Sequence, residues 1–212
     1  MSVRRIPLRL PMLAAAVIAI FAVSAAPAAA DRVVRGDYTV RAGATVDDNI
    51  KIYNGTLTVN GKVEGNVYQY GRGSVVVGTR GYVGGNIIET QAGSVEVRGH
   101  LAGNIEESGL GAAIATRSGD VDGNIIEKGD GRVEVLGELD GNVEEYGVGP
   151  VIIGRYAYVD GNIEEERAGR VEVRGAVEGD VEESGAGNVL ISRSARIAGD
   201  VSESGPGRII RY

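Results

Sequence analysis

Residues 63–67 read V-E-G-N-V, and close variants of this pentapeptide recur to the end of the chain. Its glycine stands at positions 65, 85, 103, 123, 141, 161, 179 and 199, so the steps between copies alternate between 20 and 18 residues. Self-similarity at a fixed period of about 20 residues is typical of stacked repeat architectures. The strict alternation indicates a larger unit that contains two coils.

A second hydrophobic segment follows each copy, ten residues after the glycine, as in V-V-V at 75–77 and V-E-V at 95–97. We predict one strand from two residues before the motif glycine to about four after it, and another over the second segment. A corner of five residues (78–82) or of three (98–100) then closes the coil, so the alternation between 20 and 18 residues is expected to arise there.

Such short strands bury a face only when coils stack and each strand pairs in parallel with its copy one coil away. We therefore predict an all-β, single-domain parallel β-helix, a solenoid of about nine coils. Blades of about 40 residues with four longer strands, as in propellers, do not fit the period. The six-residue period of a left-handed hexapeptide helix is the nearer alternative, and the sequence does not keep it.

Residues 1–30 have the features of a secretory signal peptide. Basic residues at 4, 5 and 9 precede an apolar run at 12–23, and A-A-A at 28–30 precedes Asp31. The run is short for a membrane span of about 20 residues, so cleavage is favoured over a retained anchor. We expect an exported protein, periplasmic or extracellular, with no further membrane span. Residues 31–47 are predicted as lead-in strands and residues 48–212 as the repeat domain.

The bulk composition excludes several classes of function. The formal charge of the 212 residues is −7, and nucleic-acid binding requires a basic surface, so no nucleic-acid partner is expected. The chain has no cysteine, which excludes disulfides and thiolate metal sites. No cofactor is predicted.

The residue after the motif glycine forms an asparagine column. Asparagine suits corners because it tolerates unusual backbone angles and bonds to nearby backbone groups. We predict a structural corner ladder, and the alternative is a ligand-binding stripe. Its members are Asn66, Asn86, Asn104, Asn124, Asn142, Asn162, Asp180 and Asp200.

The residue four positions after the glycine forms a glutamate column, which Gln69 precedes. Its members are Glu89, Glu107, Glu127, Glu145, Glu165, Glu183 and Glu203. Like charges one coil apart repel, so the column is expected to need water, arginine partners or cations. The sequence predicts a solvated acidic edge, and the alternative is a stripe that binds cations or a partner. The candidate arginine partners are Arg117, Arg132, Arg155, Arg170, Arg193 and Arg208.

The outward residue of the second strand is aliphatic in every second coil and glutamate in most of the coils between. We call the set Val76, Ile114, Ile152 and Leu190 the aliphatic column. Exposed aliphatic side chains at a regular spacing suggest a lateral contact surface, although scattered surface aliphatics are ordinary.

Catalytic residues are not predicted. A catalytic cluster needs particular groups at one place, whereas the acids here follow the repeat in nearly every coil. His100 is the single histidine, and its corner position is filled by other residue types in other coils, so it is expected at the surface.

The pattern V-x-G-N/D-V with G-x-V-x-V resembles the bactofilin family of polymer-forming cytoskeletal proteins. Residues 58–67 (T-V-N-G-K-V-E-G-N-V) and 171–181 (V-E-V-R-G-A-V-E-G-D-V) carry the resemblance, which extends over about 48–201. It implies a small parallel β-helix without enzymatic activity that joins end to end into filaments without nucleotide. The predicted signal peptide and the alternating coil length depart from the family pattern.

Three functions follow from the sequence. The first is an exported, non-enzymatic structural protein that forms homo-oligomers or polymers, end to end or laterally. The second is a binding module of the cell envelope or the exterior, for cations or glycans along the glutamate and asparagine columns. The third is a polysaccharide-acting enzyme on a β-helix, which the missing inserted loops disfavour.

Overall fold

The computed structural model describes residues 31–212, so the predicted signal peptide at 1–30 lies outside the described residues. Within the described chain every regular element is a β-strand of two to five residues, and the strands form three parallel sheets. No helix in this part of the chain is long and apolar enough to cross a membrane.

The ten strands of sheet 1 are β1 (Arg32–Arg35), β4 (Ile50–Tyr53), β7 (Val67–Gly71), β10 (Ile87–Gln91), β13 (Ile105–Glu107), β16 (Ile125–Glu127), β19 (Val143–Glu145), β22 (Ile163–Glu165), β25 (Val181–Glu183) and β28 (Val201–Glu203). The ten strands of sheet 2 are β2 (Tyr38–Val40), β5 (Leu57–Val59), β8 (Val75–Val77), β11 (Val95–Val97), β14 (Ala113–Ala115), β17 (Val133–Val135), β20 (Val151–Ile153), β23 (Val171–Val173), β26 (Val189–Ile191) and β29 (Ile209–Arg211). The nine strands of sheet 3 are β3 (Thr45–Val46), β6 (Lys62–Val63), β9 (Tyr82–Val83), β12 (His100–Leu101), β15 (Asp120–Val121), β18 (Glu138–Leu139), β21 (Tyr158–Val159), β24 (Ala176–Val177) and β27 (Arg196–Ile197).

Every strand pairs in parallel with its copies in the adjacent coils, on both sides except at the two ends of each sheet. Ile87 of β10, for example, is in register with Val67 of β7 and with Ile105 of β13. One strand of each sheet makes a coil, so the chain forms nine complete coils and a tenth that has strands in sheets 1 and 2. The predicted parallel β-helix of about nine coils is confirmed.

The alternating coil length arises in the corner between sheets 2 and 3, as predicted. In long coils four residues separate the strands and close as a β-turn: the N–H of Gly81 donates to the carbonyl of Gly78 at 2.7 Å, and that of Gly119 to Thr116 at 2.8 Å. In short coils two residues suffice, such as 98–99. The other two corners keep their length in consecutive coils after residue 71, so the register of sheets 1 and 2 is undisturbed.

The motif itself differs from the prediction. The strand expected to run through the Gly-Asn pair is broken there: β6 ends at Val63, β7 begins at Val67, and residues 64–66 form the corner between sheets 3 and 1. Val63 and Val67 both face the interior. A continuous strand would also place residues i and i+4 on one face, so the hydrophobic pattern fits both arrangements.

The segment 31–47, predicted as lead-in strands, carries β1, β2 and β3. These pair in register with β4, β5 and β6, so they form the first coil of the solenoid rather than a separate approach to it.

The core contains two inward residues from each strand of sheets 1 and 2 and one from each strand of sheet 3. The columns that begin at Val63 and Val67 are fully buried as far as Val159 and Val181. In sheet 2, Ala113 and Ala115 are also fully buried and are its smallest inward residues. Burial decreases in the last coil, where Val201 is half-buried because no further coil covers it.

Candidate functional site: interior columns, outer faces and ends

The asparagine column supplies the hydrogen bonds that the corner backbone lacks. The backbone N–H of each member donates to the side-chain Oδ1 of its counterpart one coil earlier, as from Asn86 to Asn66 at 2.8 Å and from Asn124 to Asn104 at 2.7 Å. The chain of bonds continues where asparagine becomes aspartate, since the N–H of Asp200 donates to Asp180 at 2.7 Å. All eight predicted members therefore lie in one line along the corner between sheets 3 and 1.

The glycine beside this column is required by the close stacking of coils. A Cβ atom placed on Gly141 would lie 2.5 Å from Oδ1 of Asn124 and 2.5 Å from the carbonyl oxygen of Gly123. Both distances are far inside van der Waals contact, so the motif needs glycine for space.

The glutamate column lies inside the solenoid, so the prediction of a solvated acidic edge is wrong. Glu89, Glu107, Glu127 and Glu145 are 0% exposed, Glu165 and Glu183 are 1% exposed, and Glu203 of the last coil is half-buried. The third residue of a sheet 1 strand shares the inward face with the first, which is why the carboxyl groups enter the core. The exposed or half-exposed glutamates are the middle residues of these strands: Glu106, Glu144, Glu164 and Glu182.

Backbone N–H groups of the next corner hold the buried glutamates, through Oε1 in most of them and through both carboxyl oxygens in Glu107. Oε1 of Glu165 accepts hydrogen bonds from Arg167 at 3.0 Å and Gly169 at 2.9 Å, and Oε1 of Glu183 accepts from Gly185 at 3.0 Å and Gly187 at 2.9 Å. The side chain therefore caps the corner between sheets 1 and 2. The sequence signal for this role is E-x-G-x-G, which recurs at 107–111, 127–131, 145–149, 183–187 and 203–207.

The arginines proposed as partners of the column contact other groups. Arg132 and Arg170 pair with Glu134 and Glu172 on the outer face of sheet 2. Arg117 and Arg155 lie over the ring of Tyr156, with the Arg117 guanidinium 3.9 Å from the ring centre. Within residues 31–212, no ion pair involves a member of the glutamate column.

The second carboxyl oxygen is buried without a hydrogen-bond donor in most members of the column. This holds, among the residues described, for Oε2 of Glu89, Glu127, Glu145, Glu165 and Glu183. Coils stack about 4.8 Å apart, and two ionised carboxylates at that separation repel by about 3.5 kcal/mol at an effective dielectric of about 20. A fully ionised column would therefore strongly oppose folding.

Burial and neighbouring carboxyl groups raise the pKa of Glu89, Glu127, Glu145 and Glu183. Burial is the largest cause, and a hydrogen bond with Glu107 adds to it, so that the pKa of Glu89 rises to about 8 and that of Glu127 to about 9. Burial and contact with Glu165 likewise raise the pKa of Glu145 to about 8. Burial raises the pKa of Glu183 to about 7, where the N–H of Gly187 opposes the rise.

The aliphatic column runs along the outer face of sheet 2 in alternation with salt-bridged rows. Glu96 is in register between Val76 and Ile114, and it pairs with Arg98 at 2.7 Å. Further along, Glu172 lies between Ile152 and Leu190. The four aliphatic side chains are half-buried rather than fully exposed.

The two ends of the solenoid differ. In the first coil the core positions in register with Ile50 and Leu57 hold Arg32 and Tyr38, whose side chains form a 2.8 Å hydrogen bond across the end. In the last coil Ile209 occupies a core position of sheet 2 and is 43% exposed. The C-terminal end therefore presents an apolar surface and free strand edges, while the N-terminal end is covered by a polar pair.

His100 is half-buried on the outer face of sheet 3. Its Nδ1 lies 2.9 Å from Oδ2 of Asp120, its Nε2 lies 3.5 Å from Oδ2 of Asp122, and its ring stacks on Tyr82. Within the described chain this is the only group of three residues whose ligand atoms are close enough to share a metal ion. The acid–histidine contacts already satisfy the imidazole.

The comparison with protein families agrees with the geometry. A model of the bactofilin family, described as polymer-forming cytoskeletal, matches twice, over residues 38–128 and 116–205, and the two matches together span most of the solenoid. Neither the curated proteins nor the solved structures contain a match. Two successive matches on one continuous stack of coils reflect the internal repetition of the chain. The chain belongs to the bactofilin family of polymer-forming cytoskeletal proteins.

Proposed function

We propose that this protein is an exported, non-enzymatic structural element whose copies associate end to end, with the C-terminal coil as the main contact. Membership in a polymer-forming family supports self-association. The observation that carries the assignment to the ends is the exposed core position of Ile209 on the free edge of sheet 2.

Unpaired strand edges are templates for another chain, because their N–H and C=O groups lack partners. Another copy placed on the last coil would pair the edges of β28 and β29 and cover Ile209, Ile197 and Val201. Full burial of one such side chain is worth about 1.5–3 kcal/mol. A rod with this end uncovered therefore gains from association with a second copy.

The contact is tested by placing a charge at the open end. We expect the mature chain, residues 31–212, to show a concentration-dependent series of sizes in light scattering and filaments in electron micrographs. Ile209→Glu should keep the fold and give monomers, because stacking would bury an unpaired charge.

Ile152→Glu, which puts the same charge on the aliphatic column, is the matched control and should assemble end to end like the wild type at low ionic strength. If Ile152→Glu abolishes assembly and Ile209→Glu does not, the contact is lateral. If the wild type is monomeric at high concentration, the proposal is wrong.

Export rests on the charged head, apolar run and A-A-A site of residues 1–30. Cell fractionation followed by N-terminal sequencing tests it, with Asp31 as the expected first residue of the exported protein. An uncleaved chain recovered only from the cytoplasm would contradict this part of the proposal.

The absence of enzymatic activity is supported by the structural character of the family and by acids that repeat from coil to coil.

The alternative of a cation- or glycan-binding module stays a prediction. Burial of the glutamate column keeps its carboxyl groups away from a glycan at the surface. Such a ligand would instead meet the outer carboxylates of sheet 1, Glu144, Glu164 and Glu182.

A further inference from the structure

We propose that the buried glutamates form a proton-binding ladder inside the rod: at neutral pH the column holds protons shared between carboxyl groups of neighbouring coils, and the rod loses stability when they leave. The ladder has two halves, each with one central carboxyl group that shares protons with a neighbour on either side. The first half is Glu89, Glu107 and Glu127, and the second is Glu145, Glu165 and Glu183.

The contacts between coils define these halves. Glu107 is in register with Glu89 in one neighbouring coil and with Glu127 in the other, and its carboxyl group contacts both. Glu165 has the same relation to Glu145 and Glu183. Two carboxylates cannot bond to each other without a proton, because ionised carboxylates only accept. One proton on each outer member turns these repulsive contacts into O–H···O bonds.

The unpartnered oxygens give independent support. Oε2 of Glu127, Glu145 and Glu183 is buried with no donor in reach, whereas Oε1 already accepts from the corner backbone. Buried polar atoms in folded proteins are almost always hydrogen-bonded. A shared proton satisfies these atoms without any added molecule.

Among residues 31–212, no other charged side chain is buried in the interior. The buried residues that sheets 2 and 3 contribute to the core of the described chain are valine, isoleucine, leucine and alanine. Glu172 is buried too, but it points outward from sheet 2 and is bound to Arg174 and Tyr212. The groups that face the ladder are therefore its own members, the corner N–H groups and Gln69.

Gln69 shows that the position accepts an uncharged side chain of the same shape. It lies in register with Glu89 at the N-terminal end of the column and is fully buried, with neither Oε1 nor Nε2 hydrogen-bonded. An amide has both an acceptor and a donor, as a protonated carboxyl group does. Glutamine is therefore the conservative probe of the ladder.

The pH dependence has a definite sign. The pKa values of the outer members lie above the ordinary 4.5, at about 7 to 9, so the folded state holds protons that the unfolded chain has released. Stability falls with rising pH wherever the folded state binds more protons. The contribution is complete below pH 4.5 and is lost as the pH rises through about 7 to 9.

The test compares Glu127→Gln with Glu182→Gln, an exposed control that removes the same charge from sheet 1. Melting temperatures are measured between pH 6 and pH 9 in a His100→Asn background, because histidine also titrates near neutral pH. Several protein concentrations separate loss of subunit contacts from loss of the fold. We expect the melting temperatures of the His100→Asn parent and of its Glu182→Gln variant to fall from pH 6 to pH 9. The melting temperature of the Glu127→Gln variant should fall less and should exceed that of the parent at pH 9.

Two results would overturn the proposal. The first is a parent melting temperature that does not change between pH 6 and pH 9, or a slope that Glu127→Gln leaves unchanged. The second is a melting temperature at pH 9 that rises when Ca²⁺ or K⁺ is added to chelator-treated protein. If Glu127→Gln abolishes that rise, the column holds a cation instead of protons.

Infrared spectra at pH 7 give a direct readout of the protons. We expect a protonated-carboxyl band that weakens in Glu127→Gln, and its absence from the parent would contradict the ladder.

Discussion

The asparagine and glutamate columns both accept hydrogen bonds from backbone N–H groups, but in different directions. The asparagine column accepts hydrogen bonds along the axis, from one coil to the next, whereas the glutamate column accepts them within its own coil, from the following corner. In both columns the acceptor is a side-chain oxygen atom that lies at a corner, where the backbone turns and the hydrogen bonds between strands are interrupted. The repeat keeps these residues because each coil has the same orphan N–H groups to satisfy.

At the residue scale, Asn124→Ala should destabilise the protein and Asn124→Asp should not. Alanine removes the acceptor of the Asn142 N–H, at 2.9 Å, and an unpaired buried donor costs about 1–3 kcal/mol. Aspartate keeps the acceptor, as Asp180 does for Asp200. Urea denaturation gives the free energies of unfolding, and an aspartate variant as unstable as the alanine variant would contradict the role.

The asparagine column could be predicted from the sequence and the burial of the glutamate column could not, for a physical reason. Asparagine at a Gly-Asn corner has one common use, to bond nearby backbone. Glutamate is almost never fully buried, so its ordinary preference outweighed the alternation that places Glu107 on the same face as Ile105. The decisive signal was the glycine pair in E-x-G-x-G, which marks a corner with N–H groups in need of an acceptor.

At the scale of elements, the corners are not equivalent. The corner between sheets 2 and 3 occurs with four residues or with two, while the corner between sheets 1 and 2 keeps one length in every coil in which a glutamate caps it. The spacing of the hydrophobic segments revealed directly that the corner between sheets 2 and 3 has two lengths. It could not reveal the break at the Gly-Asn pair, because Val63 and Val67 face inward in both a straight strand and a bent one.

Deletion of residues 117 and 118 should therefore leave the fold intact. It converts the long corner of 116–119 into Thr-Gly, which has the form of the short corners Arg98-Gly99 and Leu136-Gly137 in the neighbouring coils. We expect circular dichroism like that of the wild type and a melting temperature within a few degrees, since sheets 1 and 2 keep their register.

The control deletes residues 109 and 110 from the capped corner of the same coil. That change removes Gly109, whose N–H donates to Glu107 at 3.1 Å, and moves Gly111 into its position, so the cap keeps one of its two donors and the corner is two residues too short for the register of sheet 2. We expect it to unfold the protein or to lower the melting temperature severely. Equal tolerance of the two deletions would show that the glutamate cap does not fix the corner.

At the scale of the whole molecule, the formal charge is concentrated in the middle of the rod. Residues 64–180 carry 21 acidic and 10 basic side chains, whereas residues 31–63 carry 4 and 5, and residues 181–212 carry 4 and 4. Rods with strongly acidic sides repel one another side by side, but their two ends carry formal charges of only +1 and 0. Protons held by the buried glutamates reduce the negative charge of the middle without reversing its sign.

This distribution predicts how salt changes the assembly. At low ionic strength the repulsion between acidic flanks reaches about 30 Å at 0.01 M and should keep filaments one rod wide, while end contacts, which bury Ile209 and pair strand edges, persist. At about 1 M salt the screening length falls to about 3 Å, so the aliphatic column can bring filaments together into bundles. Electron microscopy of filament width across a salt series measures this, and Ile152→Glu should remain in single filaments at high salt. Filaments that dissolve as salt is added would show instead that charge pairs hold the ends together.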